Sequence, residues 1–229
     1  MCTSFLFHGG DVIAGFNFDT NVFRYRFIRG RSGSFYAALW YRGRWEPSFG
    51  VSAGGVFVNE LMNAECEAGK YRRRADCYRL NRLVQEVLLG HLSFGEAEAI
   101  VREKQIVNAP GFSLHSHITS ADGDVLVVEP GRGFEKKRPR YSVMTNFSLF
   151  DRENTCGLLG AGLDRYETAE AMLQSAPDSF GVSDAFEVLR STVQRGEWPT
   201  VVSMVYSARE NAVYYAEKQR FSDIAHHCL

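Results

Sequence analysis

The stretch that decides the fold opens the chain, with MCTSFLF over residues 1–7 and VIAGFNFD over residues 12–19. Between these runs, residues 8–11 read HGGD, a turn signal, so the stretch predicts a β-hairpin. A hairpin of this length returns Asp19 to the neighbourhood of Cys2. Cys2 directly follows a methionine, and its small side chain is of the kind that permits methionine removal. The sequence therefore predicts a thiol, a free α-amine and a carboxylate at one place.

Cys2 can supply both the nucleophile and the base once Met1 is removed. The reference pKa of an α-amine is about 7.7–8.0 and that of a thiol about 8.5, so the amine is poised to accept the thiol proton. The thiolate is the attacking species. N-terminal threonine enzymes combine nucleophile and base in this way. A retained Met1 would block the amine and leave Cys2 without its base.

Strand and helix patterns alternate along the remaining chain. Strands are predicted at residues 34–41, 51–58, 114–119, 125–129, 141–145, 201–206 and 212–216. Helices are predicted near residues 80–88, 165–174 and 183–194, and a further short helix begins at a capping box formed by Ser93 and Glu96. The order predicts one antiparallel α+β domain over residues 1–229. Residues 226–229 are expected to be a frayed tail.

Charge and composition exclude several function classes. The chain has 26 basic and 27 acidic side chains and a net charge of −1, which gives no electrostatic case for nucleic acid or an anionic membrane as a partner. Arg72, Arg73 and Arg74 are followed closely by Asp76, and we interpret them as a solvated helix entrance. No apolar stretch reaches membrane-spanning length and no signal peptide is recognisable, so a cytoplasmic location is expected.

Metal and cofactor chemistry is not expected. The five cysteines form no CxxC pair, so free thiols are expected and a structural zinc site is not. His115 and His117 alternate within a strand-like run, where buried polar side chains are commoner than ligands. We therefore expect neither a metal nor an organic cofactor.

A series of short motifs follows the hairpin in order along the chain. They are Leu114-His115, Val128-Glu129-Pro130, Thr145-Asn146 and Asp164-Arg165. With Cys2-Thr3 and the GFNFD run at residues 15–19, this succession resembles the choloylglycine hydrolase and penicillin V acylase family. It is more loosely similar to acyltransferase relatives within the Ntn-hydrolase superfamily. Each motif is weak alone, but their collinear order over nearly the whole chain is fairly specific.

The resemblance implies a fold and a set of roles. The fold would be a four-layer αββα sandwich, with two antiparallel sheets flanked by helices. Cys2 would attack a linear amide, Asp19 would orient its amine, and Asn146 would contribute to the oxyanion hole. Arg165 would stabilise charge at the centre or hold the loops around it. Taken singly, Asp19 or Asn146 could instead be a local turn, cap or backbone partner, and Arg165 a surface ion pair.

The sequence also departs from the family pattern. Phe16 stands where the family has an arginine beside the nucleophile, a cation that would lower the pKa of the thiol. Asn59 and Asn63 both compete for a family pocket position, and their register is open. Asn146 and Arg165 are close in sequence, without the insertion that assembles bile-salt hydrolase tetramers, which disfavours that assembly and bile salts as substrates.

Three functions remain open. The first is hydrolysis of a small N-acyl amide, with Phe16, Asn59 and Asn63 as candidate substrate contacts. The second is acyl transfer to an amine on the same residues, which only product analysis separates from hydrolysis. The third is a catalytically silent binding protein, for which Phe16 is the main support. Whether the chain forms a homo-oligomer is also open.

Overall fold

The structure, a computed structural model, describes residues 1–30 and 33–229. Its strands are β1 (Cys2–His8), β2 (Val12–Asp19), β3 (Tyr25–Arg29), β4 (Phe35–Tyr41), β5 (Arg44–Val51), β6 (Phe57–Met62), β7 (Cys77–Arg79), β8 (Gln105–Val107), β9 (Leu114–Thr119), β10 (Val125–Glu129), β11 (Gly133–Lys137), β12 (Tyr141–Met144), β13 (Thr200–Ser207), β14 (Ala212–Glu217) and β15 (Ala225–Cys228). Its helices are α1 (Leu80–Leu88), α2 (Phe94–Glu103), α3 (Arg152–Thr155), α4 (Leu163–Gln174) and α5 (Val182–Ser191), and Glu67–Gly69 forms a single 3₁₀ turn.

Two antiparallel sheets form the centre of the molecule. The first has six strands in the order β12-β1-β2-β13-β14-β15, and the second has seven in the order β11-β10-β9-β6-β5-β4-β3. Their facing sides share one apolar core. Helices α1 and α2 cover the outer face of the second sheet, and α4 and α5 cover that of the first. The four-layer αββα architecture expected from the sequence is therefore confirmed.

The opening hairpin lies in the interior of the first sheet. Strand β1 pairs with β2 from Cys2 opposite Phe18 to His8 opposite Val12, and β13 covers the other edge of β2. Every residue of β2 is buried, because the facing sheet covers one side and α5 the other. Gly15 permits this packing, since a Cβ there would collide with the Phe5 ring. The hairpin is the structural centre of the domain.

Most predicted elements are present, with shifts at their ends. The turn at Gly90 ends α1 with a positive φ of 75°, and the capping box at Ser93 and Glu96 begins α2. Helix α4 begins at Leu163 and α5 ends at Ser191, so both predicted helices were placed slightly late. No helix in residues 1–30 and 33–229 is long and apolar enough to cross a membrane.

Two sequence interpretations were wrong. The tail at residues 226–229 is not frayed, because residues 225–228 form β15 and pair with β14, while His227 packs against Phe35. The arginines at 72–74 do not enter a helix directly. They lie in a loop before the short strand β7, which pairs in parallel with β8, and only then does α1 begin. Long-range pairing, which leaves little periodic signal in such short segments, explains both differences.

Candidate active site

Cys2 lies at the head of β1, buried between the two sheets. Its exposed fraction is 4%, and its neighbours in the inter-sheet core include Phe16 and Phe18. The Cys2 backbone N–H donates a hydrogen bond of 2.7 Å to Asn146 Oδ1. The Met1 α-amine lies 3.3 Å from the carbonyl oxygen of Asp19. The hairpin therefore brings the thiol, the chain start and Asp19 together, as the sequence predicted.

Asp19 ends β2 as a buried carboxylate with one free oxygen. Its Oδ1 accepts a hydrogen bond of 2.6 Å from Thr200 Oγ1 on the neighbouring strand β13. Its Oδ2 is buried and accepts no hydrogen bond from the described residues. Burial raises the pKa of Asp19 to about 7, against the lowering effects of the Thr200 hydrogen bond and of Arg165. The carboxyl group therefore titrates near neutral pH.

Arg165 is the buried cation of the site. It is the third residue of α4, and Nη1 donates to the carbonyl oxygen of Cys2 at 2.5 Å and to Thr3 Oγ1 at 2.9 Å. The same Nη1 lies 3.8 Å from Asp19 Oδ2. Gly162, at a φ of +75°, leaves room for the guanidinium, since a Cβ there would collide with it. Arg165 is thus a bridge between β1 and the carboxylate, and the alternative of a surface ion pair is wrong.

Asn146 follows β12 and faces the start of β1. Its Oδ1 accepts from the Cys2 N–H at 2.7 Å and from Arg165 Nη2 at 3.0 Å. Its Nδ2 donates to the carbonyl oxygen of Met62 at 2.8 Å. Two donors facing Oδ1 fix the orientation of the amide, because the reverse orientation would place –NH₂ against them. An amide nitrogen carries two hydrogens, so one remains for a further acceptor.

The Cys2 thiol is strongly protonated while Met1 remains in place. Burial raises its pKa to about 11, and the negative charge of Asp19 adds to this effect. The chain-terminal ammonium, a backbone hydrogen bond from Asp19 and Arg165 lower the pKa, but together they do not offset the burial. A base placed directly beside the sulfur is therefore required to generate the thiolate at neutral pH.

The structure separates the two asparagines that the sequence left in competition. Asn59 points between the sheets, where its Nδ2 donates to Ser4 Oγ at 2.9 Å, and it is fully buried. Asn63 follows β6 and is half-buried, directly after Met62, whose carbonyl oxygen holds Asn146. Asn63 is therefore the asparagine adjacent to the site.

Phe16 lies wholly in the core, with its ring centroid 5.0 Å from that of Phe49. The next arginines along the chain, Arg24 and Arg26, do not replace the cation missing at this position, because both are exposed and Arg26 packs over Trp45. Among the described residues, Arg165 is the guanidinium that contacts Cys2.

A buried polar network behind Asn146 was not predicted. His115 Nε2 lies 2.7 Å from the carbonyl oxygen of Thr145, and its Nδ1 lies 3.4 Å from Glu129 Oε1. Glu129 also accepts from Ser148 Oγ at 2.5 Å and from Asn63 Nδ2 at 3.3 Å. Burial would raise the pKa of Glu129, but hydrogen bonds from His115, Ser148 and the Leu149 backbone hold it below its usual range. This network fixes the strand end that carries Asn146.

The same network explains the Leu-His and Glu-Pro motifs. In the sequence these motifs supported the resemblance, but neither had an assigned role. The pairing of β9 with β10 shows that His115 and Glu129 lie side by side. His117 is separate: its ring nitrogens each lie 3.0 Å from a serine hydroxyl, on Ser4 and Ser142, and burial lowers its pKa to about 3. Among the described residues, no group of three or more His, Cys, Asp or Glu side chains could hold a metal ion.

No family model matches the sequence, and no curated protein matches it either. Solved structures do match. The cysteine-to-alanine mutant of conjugated bile acid hydrolase from Clostridium perfringens superposes with a TM-score of 0.73 at 17% identity, covering 100% of this chain and 92% of the other. Penicillin V acylase from Agrobacterium tumefaciens gives a TM-score of 0.70 at 16% identity, covering 94% and 83%.

A third match is the N-acylethanolamine-hydrolyzing acid amidase ortholog of Caenorhabditis elegans, with a TM-score of 0.63 at 18% identity, covering 90% of this chain and 93% of the other. At these identities the likeness concerns the fold. It confirms at that level the resemblance to choloylglycine hydrolases and penicillin V acylases that the collinear motifs indicated. The chain therefore has the four-layer fold of the N-terminal-nucleophile hydrolases.

Proposed function

We propose that this protein is an N-terminal cysteine hydrolase that cleaves the linear amide bond of a small N-acyl substrate. The observation that carries the proposal is the convergence of Asp19, Asn146 and Arg165 on Cys2 at the head of a central strand. The three solved structures described above bear the names of enzymes that act on amides, which supports the same reaction class. Removal of Met1 is the step that would activate the site.

The first half of the reaction would form a thioester. The free Cys2 amine takes the proton from Sγ, and the thiolate attacks the amide carbonyl carbon. The carbonyl oxygen becomes an oxyanion, to which the second Nδ2 hydrogen of Asn146 can donate. Collapse of this intermediate breaks the C–N bond, and the amine leaving group departs with the proton that the Cys2 amine had accepted.

The second half would release the acyl group. Water attacks the thioester carbon while the Cys2 amine accepts its proton, and a second tetrahedral intermediate collapses with loss of the thiolate. The thiolate regains its proton, and the product is a carboxylic acid. Asp19 Oδ2, which accepts no hydrogen bond from the described residues, can hold the Cys2 ammonium between these steps.

Exposed apolar side chains around the site favour an apolar acyl group. Met62 is half-exposed, and its carbonyl oxygen binds Asn146. Leu158 and Leu159 project from the loop whose Ala161 carbonyl accepts the Asn146 N–H, and Val22 follows Asp19 by three residues. Exposed apolar side chains beside a site are candidates for contact with a substrate. The substrate we propose is thus an N-acyl amide with a hydrophobic acyl chain.

Intact mass is the first test. We expect the purified chain to be short by one methionine, which would free the Cys2 amine. A panel of N-acyl amides with acyl chains of increasing length is then assayed for amine release, with Cys2→Ala expected to be inactive. Cys66→Ala is the matched control, because it removes a half-buried thiol from a turn elsewhere. Its activity should equal that of the unaltered chain.

Two alternatives are decided by the same experiments. Product analysis in the presence of an added primary amine separates hydrolysis from acyl transfer, since transfer yields a new amide in place of the acid. A mass that retains Met1 would contradict the proposed hydrolase mechanism, because the Cys2 amine would be blocked. The binding-protein alternative, supported by Phe16 and by the thiol pKa of about 11, would then take its place.

A further inference from the structure

A basic segment, made of a loop followed by β7, leads from the 3₁₀ turn at Glu67–Gly69 into α1. Residues 70–82 contain six of the chain's 26 Lys and Arg side chains and a single acidic one, Asp76. The chain as a whole is nearly neutral, so this concentration is local. The sequence predicted a solvated helix entrance at Arg72, Arg73 and Arg74, and in the structure these residues also line a cavity.

The cavity has a volume of about 260 Å³ and lies between the loop and the start of α1. Five arginines are among the residues that line it: Arg72, Arg73, Arg74, Arg79 and Arg82. A cavity of this size accommodates a compact group such as a phosphate ester or pyrophosphate. Five like charges around so small a volume repel one another unless anions compensate for them.

Within residues 1–30 and 33–229, acidic side chains pair with two of these five arginines. Arg74 pairs with Asp76 at 3.0 Å and Arg82 with Glu86 at 2.9 Å. Arg72 donates only to uncharged carbonyl oxygens, those of Glu67 and Ala68.

Arg73 and Arg79 form no ion pair with an acidic side chain in residues 1–30 and 33–229, and both are exposed. Arg73 and Arg79 therefore have no counter-charge from the described chain, and the hydrogen-bond partners of Arg72 are carbonyl oxygens.

Helix α1 adds to the positive potential. Arg79 occupies its N-cap position, no side chain caps its first N–H groups, and its first turn contains no acidic residue. The N-terminal end of a helix carries a partial positive charge and unsatisfied N–H donors. The N-terminal end of α1 and the arginines therefore both contribute positive potential at the cavity.

We propose that this cavity binds a phosphorylated ligand carrying at least two negative charges. Guanidinium forks match the oxygens of a phosphate in bidentate geometry, which favours phosphate over a single carboxylate. Tyr71, which is 42% exposed, and Tyr78 line the same cavity. The phosphate can belong to a free metabolite or to a lipid headgroup, because both present the same chemistry. The site does not depend on the chemistry proposed for Cys2.

The test is calorimetric titration of the full chain with sodium pyrophosphate in low-salt buffer. The test variant is Arg73→Gln with Arg79→Gln. The matched control is Arg190→Gln with Arg195→Gln, which removes two exposed charges on and beside α5, in the opposite outer layer. We expect saturable binding that is about tenfold or more weaker in the test variant, since each lost charged contact weakens binding severalfold. The control and Cys2→Ala should bind as the unaltered chain does.

Vesicles separate the two sources of phosphate. Sedimentation with phosphatidylcholine vesicles, with and without phosphatidic acid, shows whether a lipid phosphate is also bound, and the two arginine variants are compared again. Arginine-dependent binding of either probe supports the proposal and assigns the source. Absence of pyrophosphate and phosphatidic acid binding, or binding that the arginine pair does not change, overturns it. Circular dichroism checks folding, and Arg73→Gln alone replaces the pair if the double variant is unfolded.

Discussion

The ion pair between Arg165 and Asp19 can be measured directly. Arg165→Met and Asp19→Asn, made singly and together, form a double-mutant cycle that isolates the interaction. The two charges are 3.8 Å apart and buried. Coulomb's law with an effective dielectric constant of about 20 gives an attraction of about 4 kcal/mol at that separation. Because burial still raises the pKa of Asp19, this attraction does not offset the cost of burying the carboxylate, and the cycle measures a coupling energy and not a net gain in stability.

The coupling should depend on pH in a defined direction. The pKa of Asp19 is raised from its ordinary value to about 7, so the folded state favours the neutral carboxyl. The stability that the neutral Asp19 carboxyl contributes is fully present below its unfolded pKa of about 3.9. It is lost as pH rises through 7. Above that pH the carboxylate is ionised and needs Arg165, so we expect a coupling of about 4 kcal/mol at high pH and little at pH 5.

Urea unfolding at both pH values is the assay, because urea adds no ionic screening. Arg165→Met removes enough stability to threaten folding at high pH, since small domains are stable by only about 5–15 kcal/mol. Arg165→Gln replaces it in that case. A coupling energy that is equal at the two pH values would refute the ion pair and the raised pKa on which the reasoning rests.

Three further predictions concern the same site. Asn146→Ala should lower kcat by about 10²–10³-fold with a smaller effect on KM, and unchanged kcat would remove it from the oxyanion hole. Thr200→Val removes a hydrogen bond that lowers the pKa of Asp19, so the acid limb of the kcat/KM profile should move to higher pH; a shift downward would contradict this assignment. Glu129→Gln should lower the free energy of unfolding by about 2–4 kcal/mol, because it weakens charged hydrogen bonds in a buried network. Thermal unfolding measures the change, and an unchanged Tm would show that the network contributes little to stability.

Local signals were sufficient for the central part of the fold. The Gly-Gly turn and the apolar runs on either side determine the opening hairpin, and the same hairpin brings Asp19 to Cys2. Asn146 and Arg165 were placed through collinear motifs and not through any local rule. The structure brings all four residues together, while their catalytic roles stay predictions until activity is measured.

Features that depend on distant pairing were missed. Strands β11 and β15 are short and largely exposed, so neither shows the alternation that identifies a strand. Thr200 lies far from Asp19 in sequence, and only the register of β13 against β2 sets the two side chains together. The choice between Asn59 and Asn63 likewise depends on where β6 ends, because the two positions are four residues apart and would share one face of an extended strand. Each of these features depends on pairing or packing between segments that are distant in the sequence.

The place of Cys2 within its sheet has a thermodynamic consequence. Chain ends usually fluctuate, and a reactive group on one would have to be ordered at each encounter with substrate. Here β1 is paired on both sides, by β12 and β2, and its first residue is held by Asn146 and Arg165. The conformational entropy of this segment is therefore lost during folding, so in the proposed reaction it is not lost again on the way to the transition state.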